Sequence, residues 1–168
     1  MNDSPATSSV NGVFVRQGLA LAVVVLVLDQ ISKWVALDHF SQAPRMLEVL
    51  PFFNLVLVWN TGISFGMFGG NGAWGSWVLV GLAVVISIVL SIWLTKAETR
   101  YTALGLASII GGAVGNIIDR VRFGAVVDFL DFHVWGYHWP AFNVADSAIF
   151  IGAAVLILES LFNKPETP

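Results

Sequence analysis

The amino-acid sequence predicts an all-α membrane protein of four transmembrane helices, with a small extracytoplasmic β-like element and an outer-face loop. Three observations carry that expectation. Of 168 residues, 57% are hydrophobic and 11% charged, and the mean hydropathy is +0.79. A soluble domain is about a quarter charged, because its surface must be solvated. The charges are also bunched, and the gaps between them have the length of bilayer spans, roughly 20 apolar residues each. Zero cysteines exclude disulfide frameworks, thiol nucleophiles and thiolate metal sites. With a net charge of −3 there is no electrostatic footprint for nucleic acid. His39, His133 and His138 lack the spacing of a helical metal-binding pair, so no metal or cofactor is expected.

Taken in order, the first span is expected at about 16–37. Its apolar stretch Gly18 to Leu28 runs into Asp29, Gln30 and Lys33 without a small-residue cleavage site, which fits a retained anchor better than a signal peptide. No charged residue occurs between Glu48 and Lys96. One helix over that stretch would be roughly 70 Å long, so the stretch must divide. Its first part, Phe52 to Asn60, is rich in β-branched and aromatic residues, and Thr61-Gly62 ends it. An outer β-like segment is therefore expected at about 45–66, and the second span at about 73–94, after Gly69-Gly70-Asn71-Gly72. The third span is expected at about 101–122, an outer loop at about 123–140, and the fourth span at about 142–162. All of this reads as one integral membrane domain over 1–168.

Four spans put both termini on one side. Arg16, Lys96, Arg100 and Lys164 lie on that side, and Lys33, Arg45, Arg120 and Arg122 on the other. Equal counts leave the positive-inside rule without a preference. Setting aside Lys33 and Arg120, which fall within helical patterns, favours cytoplasmic termini. Trp34, Trp59, Trp74, Trp77, Trp135 and Trp139 fall toward the opposite face, as an interfacial aromatic platform would.

Ionisable groups inside a span are costly, so each needs a partner or a task. Asp29 and Lys33 stand at i and i+4 with the acid first, the favourable order for a helical ion pair. In the third span, Gly111 and Gly115 form a small-x-x-x-small face, and Asn116, Asp119 and Arg120 share one helix face. That polar face is either an internal clamp or a set of donors for a carbonyl or lipid head group. Asn143 and Asp146 fit an N-cap and an N3 acid, and Asp128 fits an ordinary loop acid. Yet the outer loop can bring Asp128 and Asp146 together. Two close carboxylates share a proton, as in aspartic proteases, where one acid activates water and the other polarises the scissile carbonyl. The competing readings are a small proton-coupled transporter and a noncatalytic membrane assembly factor.

Five blocks occur in order: Asp29-Gln30-Ile31-Ser32-Lys33; Asn60-Thr61-Gly62 with Phe65; Gly111-Gly112-Ala113 through Gly115-Asn116 to Asp119-Arg120; Val126-Val127-Asp128-Phe129; and Phe142-Asn143-Val144-Ala145-Asp146-Ser147. In that order they resemble the lipoprotein signal peptidase family, signal peptidase II, over almost the whole chain. Ile63-Ser64 departs from the family's usual pair of alanines. The resemblance implies an aspartic endopeptidase of the bacterial inner membrane, active toward its outer face. It would cleave diacylglyceryl-modified prolipoproteins on the amino side of the lipid-modified cysteine. It places the catalytic acids at Asp128 and Asp146 and implies the remaining polar positions: Asn60, Asn116, Arg120 and Asn143 against the substrate backbone, and Asp29, Lys33 and Asp119 in support. It also implies globomycin-type inhibitors. The expected partners are the prolipoprotein and membrane lipid, with the chain acting as a monomer. Asp131 is a rival to Asp128; in an extended chain the two would point to opposite faces. Segments 52–72 and 125–139 are expected to close over the site, with Gly62, Gly66, Gly69, Gly70 and Gly72 giving freedom of movement.

Overall fold

A computed structural model describes residues 5–42, 44–62 and 73–162. Phe65, Ile63-Ser64, Trp74's side chain and the glycines at 66, 69, 70 and 72 lie outside the described residues, as does Lys164. Four helices form: α1 (Pro5–His39), α2 (Ala73–Leu94), α3 (Arg100–Phe123) and α4 (Val144–Phe162). Each contains a stretch long and apolar enough to cross a membrane. Even the shortest, α4, is about 29 Å long at 1.5 Å per residue, close to the thickness of a hydrocarbon core.

The least apolar helix is the one inside. α3 is the least apolar of the four and the most buried, whereas α2 is the most apolar and the least buried. In lipid the apolar residues face outward, and small and polar residues let helices approach and bond. Glycines in α3 mark the crossings. A Cβ at Gly111 would lie 2.6 Å from the Ala22 carbonyl oxygen of α1, and one at Gly112 2.5 Å from the Ala145 carbonyl oxygen of α4. α3 begins with Thr99 as N-cap, whose hydroxyl accepts from the Thr102 N–H and also bonds Glu159 of α4. At its other end Gly124 adopts φ 73°, and its N–H returns to the Arg120 carbonyl at 2.9 Å. That left-handed cap turns the chain directly into a strand.

The strands are β1 (Met46–Leu50), β2 (Phe53–Asn60), β3 (Val126–Val134) and β4 (Tyr137–His138). They pair antiparallel in the order β1-β2-β3-β4. Trp135 at φ 51° and Gly136 at φ 82° make the tight β3–β4 turn, with both central residues left-handed as such hairpins require. The all-α expectation is thus corrected to four helices plus a small antiparallel sheet. The outer loop expected at 123–140 is largely the strand β3 and its hairpin. Its first residues are buried on both faces, so Val126 to Phe132 shows no clean alternation of apolar and polar positions, and Asp128 and Asp131 interrupt the apolar run.

Candidate active site

The polar groups gather where the ends of α1 and α3, the start of α4 and the strands β2 and β3 meet. Asp146 is the N3 residue of α4, and its local chemistry is a reciprocal capping box. Asn143 Oδ1 accepts from the Asp146 N–H at 3.0 Å, while Asp146 Oδ2 accepts from the Asn143 N–H at 3.3 Å. Asn143 also donates from Nδ2 to Asp128 Oδ1 at 2.7 Å. One buried residue therefore bonds both acids, one through its backbone and the other through its amide.

Asp128 receives its second donor across the sheet. Strand β2 is in register with β3 so that Asn60 stands opposite Val126, and Asn60 Nδ2 donates to Asp128 Oδ2 at 2.9 Å. Asn60 Oδ1 accepts from the Gly62 N–H at 2.8 Å, an Asx-type turn that ends the strand. Asp128 itself is 1% exposed. Burial pushes its carboxyl up to about 6; the Asp146 charge adds to the rise, and the donors Asn60 and Asn143 and the Lys33 charge oppose it.

Behind the acids, the expected Asp29–Lys33 ion pair is present at 2.9 Å. Lys33 also meets Asp119 at 2.9 Å and Asn116 Oδ1 at 2.9 Å. Asn116 passes its Nδ2 to Asp146 Oδ1 at 2.8 Å and receives a 3.4 Å bond from Asn143 Nδ2. Of the amides expected against a substrate, that of Asn143 has acceptors within the protein for both its hydrogens, while Asn116 and Asn60 each donate to one carboxylate. Arg120 differs. Asp146, Asp128 and Asp119 all act on its charge, and its buried Nε has no hydrogen-bond partner among the described residues. A Cβ at Gly62 would sit 3.6 Å from one Arg120 terminal nitrogen.

The rival acid has its own network. Asp131 accepts from Asn54 Nδ2 at 2.8 Å and contacts His138 Nδ1 at 2.9 Å. Burial works against its charge, but the His138 and Asn54 bonds and the nearby histidines outweigh it and hold the carboxyl below its ordinary value. Among the described residues, Asp128 and Asp131 share no hydrogen-bond partner. Asp131→Asn removes no hydrogen bond held by Asp128 or Asp146 and should therefore leave activity within about threefold of wild type; assays on a folded variant check this.

Sequence reasoning assigned no role to Gln30, which donates to Asp29 Oδ2 at 3.2 Å, to Asp119 Oδ1 at 3.1 Å and to the Gly115 carbonyl at 3.3 Å. Its signal was available: an amide one residue from Asp29 in an apolar span also needs a partner. Asn54 was likewise missed, because its acid lies across the sheet. Beside Asp146 opens an apolar groove of about 440 Å³, lined by Trp139, Phe142, Ser147, Phe150 and Ile151. Phe150 and Ile151 are exposed on α4, so the groove opens onto the apolar surface of that helix.

Known proteins resemble the chain in sequence and in fold. The family model described as signal peptidase (SPase) II matches residues 21–162. A lipoprotein signal peptidase of Rhodopseudomonas palustris is 46% identical over 156 residues, covering 90% of this chain and 95% of the relative. One from Vibrio parahaemolyticus is 41% identical, covering 99% and 98%. Two solved structures described as a bacterial membrane enzyme, determined by the in meso method at 2.3 Å and 1.9 Å resolution, give TM-scores of 0.73 and 0.76. Each is 30% identical; the first covers 90% of this chain and 93% of its own, the second 88% and 94%. A match of this extent, in sequence and in fold, makes the chain a membrane protease belonging to the signal peptidase II family.

Proposed function

We propose that the chain removes signal peptides from diacylglyceryl-modified prolipoproteins, cutting on the amino side of the lipid-modified cysteine with Asp128 and Asp146 as a proton-sharing pair. The observation that carries this reading is Asn143, which bonds both carboxylates at once. Asp146 stands in the first turn of α4, where the helix dipole favours a negative charge. Asp128 is the buried acid that holds its proton up to about 6. Asp146 takes a proton from water, and the hydroxide attacks the scissile carbonyl carbon. Asp128 gives its proton to the carbonyl oxygen, and a tetrahedral intermediate forms. Asp146 then passes its proton to the leaving nitrogen, the C–N bond breaks, and Asp128 recovers its proton as the carbonyl reforms. The products are a signal-peptide carboxylate and an amine on the lipidated cysteine.

The remaining roles follow from which donors are accessible: Asn60 is exposed and Arg120 half-buried, whereas Asn116 and Asn143 are buried. Asn116 and Asn143 position the acids. Arg120 and the second amide proton of Asn60 hold substrate carbonyls, which lipid cannot solvate. The groove beside Asp146 takes apolar parts of the substrate arriving sideways from the bilayer. The sheet lies on the outer side with both termini cytoplasmic, so that the acids meet water near the interface. The gathering of acids at one end of the bundle supports this over a proton-coupled transporter, whose site belongs near the midplane.

Proteoliposomes holding the full chain and a lipidated precursor test the function. Cleavage without an ion gradient supports it, and gradient-driven flux without cleavage refutes it. The pH dependence has a definite sign. A raised carboxyl keeps its proton below about 6 and loses it as pH climbs through that value, so kcat/KM should begin to fall there. A flat profile contradicts proton sharing.

A further inference from the structure

Both acids are gripped through the N–H of the residue just ahead of them, and both grips lead back to one ammonium. Asp29 Oδ1 accepts from the N–H of Ala145, which precedes Asp146, at 2.9 Å. Asp119 Oδ2 accepts from the N–H of Val127, which precedes Asp128, at 3.1 Å. The two gripping carboxylates are joined by Lys33, and Gln30 lies across the same pair. An ammonium has three donors. Lys33 spends them on Asp29, Asp119 and Asn116, and Asn116 continues to the Asp146 carboxylate. Nothing is left over for a substrate.

We propose that Lys33 and Gln30 of α1 form a clasp that sets the spacing of the two acids, acting as positioning residues that never touch the substrate. The proposal rests on the reading of Asp128 and Asp146 as the reacting pair. Its physical basis is cost. Asp29 is 0% exposed, Lys33 2% and Asp119 1%. A buried group of two carboxylates and an ammonium is expensive to desolvate, and apolar residues would pack helices as well or better. What apolar residues lack is acceptors for the Val127 and Ala145 amides. Glycine at 115 is part of the same device, because a Cβ there would collide with the Asp29 carboxylate.

The test uses the full chain in proteoliposomes with a lipidated precursor, and active sites counted by a tight-binding peptide inhibitor. Gln30→Met changes no charge. It should lower kcat per active site about tenfold and leave KM within about threefold, because geometry rather than binding is lost. It should also move the alkaline limb of the pH profile downward, since parted carboxyls and entering water both favour the ionised form. Lys33→Met should lower kcat about a hundredfold. A residue that serves folding alone would reduce the number of active sites and leave kcat per site and the pH limb unmoved. That result overturns the clasp. Should Lys33→Met fail to fold, Gln30→Met decides by itself. If wild type cleaves, Asp128→Asn does not, and both clasp variants match wild type, the clasp alone is wrong. If wild type does not cleave, the proton-sharing pair falls with it.

Discussion

Asp128→Asn and Asp146→Asn are each expected to lower cleavage of a lipidated precursor by about 10⁴-fold, the upper range for loss of a general acid or base. Each change keeps the side chain's shape and removes the shareable proton. At position 146 the amide can still accept from the Asn143 N–H and complete the cap of α4, but its new NH2 then faces the Asn116 amide and that bond is lost. At position 128 one carboxylate oxygen becomes a donor facing an amide, either Asn60 or Asn143, so one of two bonds is lost. That loss costs about 1–3 kcal/mol, too little to account for the activity change by unfolding. The double variant should be no worse than either single one, because the acids act as a unit. Turnover of purified variants beside their thermal unfolding curves separates the two effects. Wild-type turnover in either single variant would remove that acid from the chemistry.

The second large effect is expected from a methyl group. In Gly112→Ala the new Cβ would lie 2.5 Å from the Ala145 carbonyl oxygen and 2.9 Å from Ile149 Cγ1. Both neighbours belong to α4, and the nearer is backbone, so the helix must move. Overpacking of this kind costs about 1–3 kcal/mol. The larger consequence is catalytic. Ala145 directly precedes Asp146, so α4 cannot shift without carrying the acid away from Asp128. A displacement of about 1 Å is worth about a hundredfold in rate. Gly81→Ala on α2 is the control, with nothing among the described residues within 4 Å of the new methyl. It should keep full activity and gain up to about 1 kcal/mol from helix propensity. Equal behaviour of the two variants would show that the contact between α3 and α4 does not govern the site.

What could be read from the sequence was local. Asp29 and Lys33 announced their pairing by spacing, and the structure adds only that Asp119 and Asn116 share the ammonium. Asn143 and Asp146 announced the capping box, which is present in both directions. The glycines of α3 announced close helix contact, and Gly111, Gly112 and Gly115 provide it. What could not be read was anything needing the register of the sheet. Asn60 reaches Asp128, and Asn54 reaches Asp131, only because β2 and β3 pair over a bulge between Leu55 and Val58. That pairing decides which amide of β2 each acid of β3 receives. Counting spare hydrogen-bond capacity also requires three dimensions. Asn116 and Asn143 look like free donors along the chain, but both are buried and each is bonded to a carboxylate, which leaves Arg120 and the exposed Asn60 as donors with capacity to spare.

The most direct measurement is a crystal structure of the full chain with a peptide-like inhibitor that carries a hydroxyl in place of the scissile carbonyl. The expected result is one hydroxyl oxygen within about 2.6–3.2 Å of a carboxylate oxygen from each of Asp128 and Asp146, with Asn143 still bonding both. An inhibitor held by only one of these acids, or by Asp131, with the other carboxylate turned away, would contradict a proton shared between them.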